Sequence, residues 1–166
     1  MTKFFEDLEV GQRRELGSFT FTAESIVAFA KKFDPQPFHL DEEAGKNSLF
    51  GGLAASGWQV ASVCMSLLVK NSQQLACEMA ERGEDVAAWG PSPGFRELRW
   101  LRPVLAGDTL SYASEVASKR VSSSRPGWGI IEARNTGTNQ RGELAYSVLT
   151  AAFLPLKHNG AEAAKA

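Results

Sequence analysis

The chain is poor in the residues that build disulfide or metal frameworks, with two cysteines and two histidines among 166 residues. Cys64 and Cys77 lie thirteen positions apart and form no Cys-x-x-Cys pair, while His39 and His158 fall short of a zinc ligand set. Neither a disulfide scaffold nor a structural metal is expected. Charge of one sign is also missing. Eighteen basic residues face nineteen acidic ones, a net charge of -1, so no basic stripe exists to attract a phosphate backbone and nucleic acid is excluded as a partner. Long apolar runs are absent too: the most apolar stretch, Val60 to Val69, is interrupted by Ser62 and Ser66 and is far shorter than the about 20 residues of a membrane helix. At the N-terminus, Met-Thr-Lys-Phe-Phe-Glu-Asp turns acidic where a secretory leader would carry an apolar core, so a cytoplasmic location is expected. No internal repeat interrupts this picture.

What the chain does have is 43% apolar residues, enough for one domain of roughly 150 residues to bury about two-thirds of its unfolded surface. The domain is expected over residues 1–155. The Ala-, Lys- and Glu-rich stretch 156–166, which contains His158, reads as a loose, solvated tail.

Periodicity predicts the elements. Gln12 to Phe21 alternates imperfectly and reads as an edge strand weakened at Gly17. Thr22 is an N-cap, after which Ile26, Phe29, Ala30 and Phe33 recur at helical spacing until Pro35. An irregular, Pro-rich stretch from Asp34 to Leu49 leads to Phe50-Gly51-Gly52, and Ser56 then precedes a second helix running to Gly83. Nine of the twelve residues from Trp58 to Val69 are apolar and point all round, the pattern of a helix buried on most sides. Four strands follow: Phe95 to Arg102, Thr109 to Val121, Trp128 to Thr138 and Glu143 to Leu154. Their separators, Pro103 with Gly107-Asp108, Arg125-Pro126-Gly127, and Asn139 to Gly142, have hairpin lengths and predict antiparallel neighbours. The sum is an α+β fold in which an antiparallel sheet wraps one apolar central helix.

Chemistry concentrates in Phe33-Asp34-Pro35-Gln36-Pro37-Phe38-His39-Leu40-Asp41. Two prolines stiffen a segment holding two carboxylates, a carboxamide and a histidine. If Asp34 and His39 converge, they can take a proton from water and deliver one to carbon. The plainer alternative is a surface turn in which Asp34 and Asp41 cap backbone amides. In the second segment, Phe50 to Trp58, small residues permit close approach of a ligand, and the Gly57 amide at a helix start can face an oxyanion. Its alternative is that the glycines only permit packing and Ser56 only caps.

Taken together, these segments resemble the MaoC-like acyl dehydratases, the hot-dog-fold (R)-specific enoyl-CoA hydratases, whose motif runs Asp-x-Asn-Pro-x-His-x-Asp. Trp100-Leu101-Arg102-Pro103-Val104-Leu105-Ala106-Gly107-Asp108 resembles the strand and Gly-Asp turn that follow the family's central helix, so the likeness spans Phe4 to Leu154. Gln36 stands where the family has asparagine, and Lys32-Phe33 replaces a frequent Ser-Gly. The resemblance implies Asp34 and His39 as the catalytic pair that activates water, and Gly57, with Ser56 and Gln36 beside it, as the site of the thioester oxygen. It also implies reversible hydration of a trans-2-enoyl-CoA to a 3-hydroxyacyl-CoA, with no metal or cofactor beyond the coenzyme A of the substrate, in a homodimer. Trp58, Met65 and Phe38 are candidates for the pocket floor, Arg99 and Arg102 for contact with the coenzyme A phosphates. Met65, Ser62 and Ser66 lie near a polar position on the family's helix. Two other readings stay open: a hot-dog thioesterase, disfavoured because no Asp or Glu occurs between Gly57 and Ala76, and a non-catalytic acyl-CoA binding subunit. A serine hydrolase using Ser56 lacks the Gly-x-Ser-x-Gly elbow.

Overall fold

The computed structural model describes residues 3–157. After a 3-10 turn at Phe5–Asp7 come β1 (Arg13–Thr20), α1 (Ala23–Phe33), α2 (Pro37–Leu40), α3 (Glu42–Lys46), α4 (Gly57–Glu81), β2 (Gly94–Trp100), β3 (Thr109–Val121), β4 (Trp128–Asn139) and β5 (Leu144–Pro155). Thr22 caps α1 by accepting the Ser25 N–H. The stretch expected to be irregular holds two short helices, because Pro37 sits at a first-turn position of α2 and Asp41 accepts the Ala44 N–H at the start of α3. His158 and the rest of the tail lie outside the described residues. The two tail residues that are described, Leu156 and Lys157, are fastened, the first to the Gly127 carbonyl and the second to Asp7.

The five strands form one antiparallel sheet in the order β1-β3-β4-β5-β2. As its composition suggested, β1 is an edge strand, and its register slips between Glu15 and Gly17, where Gly17 takes φ 107°. The hairpins β3–β4 and β4–β5 match expectation. The third does not: β2 and β3 are not neighbours, since β2 pairs with β5 and β3 lies between β1 and β4. The segment between them is occupied elsewhere. Ala54 bridges Leu105, and backbone bonds join Ala55 to Val104 and Ala106 to Leu53, so this stretch carries the chain across the sheet end and pins the approach to α4.

The core lies between α4 and one sheet face. Val60 and Cys64 of the helix pack with Phe21, Ile26, Leu110, Tyr112, Tyr146 and Val148, and the Tyr112 hydroxyl donates to the Val60 carbonyl over 3.1 Å. Burial on most sides is not what α4 shows. Trp58, Met65 and Val69 are 53%, 53% and 47% exposed, because a five-stranded sheet covers one side of a helix whose apolar residues extend around it. Among the described residues, no helix is long and apolar enough to cross a membrane.

Leu110 is fully buried in this core, so Leu110→Ala should lower unfolding stability by about 2–5 kcal/mol. Urea titration should show a lower midpoint with an unchanged slope.

Candidate active site

Asp34 ends α1 as its C-cap, and the turn that follows is closed by a Gln36 N–H donating to the Asp34 carbonyl over 2.8 Å. Pro35 and Pro37 fix φ on either side of Gln36, which directs its carboxamide back so that Nε2 donates to Asp34 Oδ1 over 2.8 Å. One short helical turn later, His39 points inward and is 5% exposed. Its Nε2 lies 3.4 Å from Asp34 Oδ2, and its Nδ1 lies 2.7 Å from the Ala54 carbonyl oxygen.

That last contact decides the tautomer. A carbonyl oxygen only accepts, so Nδ1 carries the proton and donates it, and in the neutral ring Nε2, which faces Asp34, is the acceptor. Ala54 is held for this purpose from both sides, its N–H donating to the Phe38 carbonyl and its neighbours bonded to Val104 and Leu53's partner Ala106. Phe38 meets the imidazole edge-on at 4.6 Å, and Phe50 stacks at 6.2 Å. These rings pack beside the imidazole without offering any competing polar group.

Burial acts on the Asp34 carboxyl by raising its pKa. It is outweighed by hydrogen bonds from Gln36 and Ser56 and by the field of His39, so the pKa is lower than the ordinary carboxylate value. Asp34 is therefore an ionised acceptor at neutral pH. Ser56 also caps α4, its hydroxyl oxygen accepting the Trp58 N–H over 3.2 Å, so one residue joins the helix start to the acid. Gly57 is the first helical residue, and its N–H makes no hydrogen bond among the described residues, as first-turn amides do unless capped. The glycine is sterically required. A Cβ there would fall 2.5 Å from Cε2 of Trp100, whose Nε1 donates to the Gly57 carbonyl over 2.9 Å.

The structure thus brings together Asp34, Gln36, His39, Ser56 and the start of α4 at Gly57. Asp41 stands apart as the α3 cap, and the reading of Asp34 as a mere amide cap does not hold, since its carboxylate goes to Gln36, Ser56 and His39. Met65 and Ser62 do not join the pair: Met65 lines a cavity further along α4, and the Ser62 hydroxyl donates to the Trp58 carbonyl. Arg102 lies 3.5 Å from Glu143. Two contributors were missed in the sequence. The Ala54 carbonyl carries no side-chain signal at all, and Trp100 was visible only as one more strand aromatic. Among the described residues, no cluster of three or more His, Cys, Asp or Glu could hold a metal.

Because the Asp34 carboxyl is depressed in the folded protein, its contribution to stability is fully present above the unfolded carboxyl value near 3.8 and is lost as pH falls through the lower folded value. Gln36→Leu removes a hydrogen bond to the ionised form. The Asp34 midpoint should then move to higher pH, as read by carbon NMR of the carboxyl carbon; an unchanged midpoint would show that Gln36 does not set it.

A family model described as MaoC like domain matches residues 7–128. Among solved structures, the MaoC-like dehydratase from Rhodospirillum rubrum is 36% identical, with a TM-score of 0.75 over 93% of this chain and 98% of its own. The (R)-hydratase from A. caviae involved in PHA biosynthesis is 28% identical, with a TM-score of 0.65 over 90% and 99%. The Bacillus subtilis protein YdeM is 28% identical over 115 residues, 69% of this chain and 74% of its own. A further neighbour, the Mycobacterium tuberculosis protein Rv0216, is described as a double hot-dog fold and aligns with a TM-score of 0.73 at 23% identity. With the family match spanning well over half its length and a five-stranded antiparallel sheet packed on one long helix, the chain is a hot-dog protein and belongs to the MaoC-like dehydratase family.

Proposed function

We propose that the protein is an acyl-CoA hydratase that adds water reversibly across the double bond of a trans-2-enoyl-CoA to give a 3-hydroxyacyl-CoA. The observation that carries this reading is the 2.7 Å contact of His39 Nδ1 with the Ala54 carbonyl oxygen, which sets the tautomer. With Nδ1–H committed to Ala54, the imidazole Nε2 and the Asp34 carboxylate are both acceptors facing one point, 3.4 Å apart. A water molecule beside the pair donates a proton to one of these acceptors and turns a lone pair outward as a nucleophile. Relatives described as a dehydratase and an (R)-hydratase support the same class of chemistry.

In this mechanism the thioester oxygen accepts from the Gly57 N–H at the positive end of α4, which polarises the conjugated system and makes carbon 3 electrophilic. The water oxygen bonds to carbon 3 while its proton passes to the Asp34–His39 pair, and carbon 2 gains a proton. Nothing is oxidised or reduced, so the reaction calls for no redox cofactor. Coenzyme A enters as part of the substrate. Exposed Trp58, Met65 and Val69 on α4 are continuous with exposed Phe95 and Trp100 on the unpaired edge strand β2, Trp58 and Trp100 meeting at 5.4 Å. An apolar helix face beside an open sheet edge is what a second copy of the chain would cover, so the working unit is proposed to be a homodimer.

Asp34→Asn and His39→Gln should each lower hydration of crotonyl-CoA and longer enoyl-CoAs at least 100-fold, measured as loss of enoyl-thioester absorbance with free thiol followed in parallel. Thiol release by the wild type would instead mark a thioesterase. Binding of enoyl-CoA with neither reaction would mark a non-catalytic subunit.

A further inference from the structure

Gly57 presents its N–H from a residue with no side chain to hold it, and a glycine backbone turns more freely than any other. What restrains it comes from its neighbours. On one side, the Ser56 carbonyl accepts the Gln59 N–H over 2.9 Å and the Val60 N–H over 3.2 Å, which fixes the peptide that carries the Gly57 N–H. On the other, the peptide joining Gly57 to Trp58 is gripped at both ends by side chains. Its N–H donates to Ser56 Oγ over 3.2 Å, and its carbonyl accepts from Trp100 Nε1 over 2.9 Å. Both torsions of the glycine therefore lie between held peptides.

The two side-chain bonds differ in what the helix asks for. A capping hydroxyl is ordinary, because the first four N–H groups of a helix have no intrahelical partner. A first-turn carbonyl has no such need, since the N–H four residues on serves it. Trp100 is 45% exposed, so water is within reach of its indole N–H, yet that group turns to the Gly57 carbonyl instead. It does so from β2, forty-three residues away in sequence, with its ring against Trp58 at 5.4 Å and across the space a Cβ at position 57 would fill. Ser56 is 1% exposed. While its oxygen accepts the Trp58 N–H, its proton is donated to the Asp34 carboxylate. One line of contacts thus runs from the acid through Ser56 and the Gly57–Trp58 peptide to the edge strand of the sheet.

We propose that Ser56 and Trp100 are a pair of positioning residues that aim the Gly57 N–H at the thioester oxygen and set its place relative to Asp34. The assignment rests on the hydratase reading and adds to it the means by which a glycine amide is kept rigid. A donor aimed in advance stabilises charge as it develops on the oxygen, whereas one that must first turn gives up that advantage. The gain therefore belongs to the transition state and appears in kcat rather than in KM. Because both residues hold the same peptide, loss of either releases it, and loss of the second adds little.

The test is steady-state hydration of crotonyl-CoA by the wild type, Trp100→Phe, Ser56→Ala and the double variant. Trp100→Phe keeps an aromatic ring at a half-exposed position and deletes the N–H. It should lower kcat by about tenfold or more with KM changed by less than about twofold. Ser56→Ala should lower kcat at least as far, and the double variant should fall less than about threefold below the slower single variant. Carbon NMR of the Asp34 carboxyl separates the two residues: its midpoint should move to higher pH in Ser56→Ala, which removes a donor to the ionised form, and stay in place in Trp100→Phe. An unchanged kcat in Trp100→Phe, a loss confined to KM, or a double variant at the product of the two single losses would overturn the assignment and leave the hydratase reading standing. A wild type that hydrates no enoyl-CoA would overturn both.

Discussion

The candidate site depends on one hydrogen bond, from His39 Nδ1 to the carbonyl of Ala54. It spans fifteen residues of sequence and joins the short helix α2 to the strand-like segment that leads into α4. Its chemical effect is to assign the proton to one ring nitrogen and leave the other directed at Asp34. Its structural effect is to dock the Pro-rich segment against the start of the long helix. Lose it, and the imidazole gains both a second tautomer and rotational freedom, while the acid, held by Gln36 and Ser56, stays where it was.

The bond is possible because Ala54 cannot move. Its bridge to Leu105 and the neighbouring backbone bonds make residues 53–55 a short rung beside the segment that follows β2. Leu105 is fixed in turn by an N–H donated to Asp108 Oδ2 over 2.9 Å. The Gly107-Asp108 turn, distant from Asp34 and His39 in sequence, thus bears on their placement through two layers of backbone. Trp100 plays a comparable part for Gly57, gripping its carbonyl and filling the space a side chain would need.

Much of this was legible in the sequence, and the failures share a cause. Strand and helix limits followed from apolar periodicity and turn residues, and Asp34, His39 and Ser56, which the fold brings together, could be singled out because side chains announce their chemistry. The β2–β3 hairpin was misplaced because turn spacing reports only that a chain reverses, not that the flanking strands pair; the contact of Leu105 with Ala54 is non-local. The exposure of α4 was misjudged because an all-round apolar helix says that cover exists without saying which chain supplies it. The Ala54 carbonyl was invisible for a similar reason, since a backbone acceptor fifteen residues from its partner carries no side-chain signal.

The central claim concerns one proton, and nitrogen NMR of the imidazoles reads it directly. With histidine labelled at both ring nitrogens, neutral His39 should show a protonated Nδ1 and an unprotonated Nε2, assigned against a His39→Gln variant that retains only His158. An unprotonated Nδ1 with the proton on Nε2 would contradict the bond to Ala54 and the acceptor role of Nε2 that rests on it.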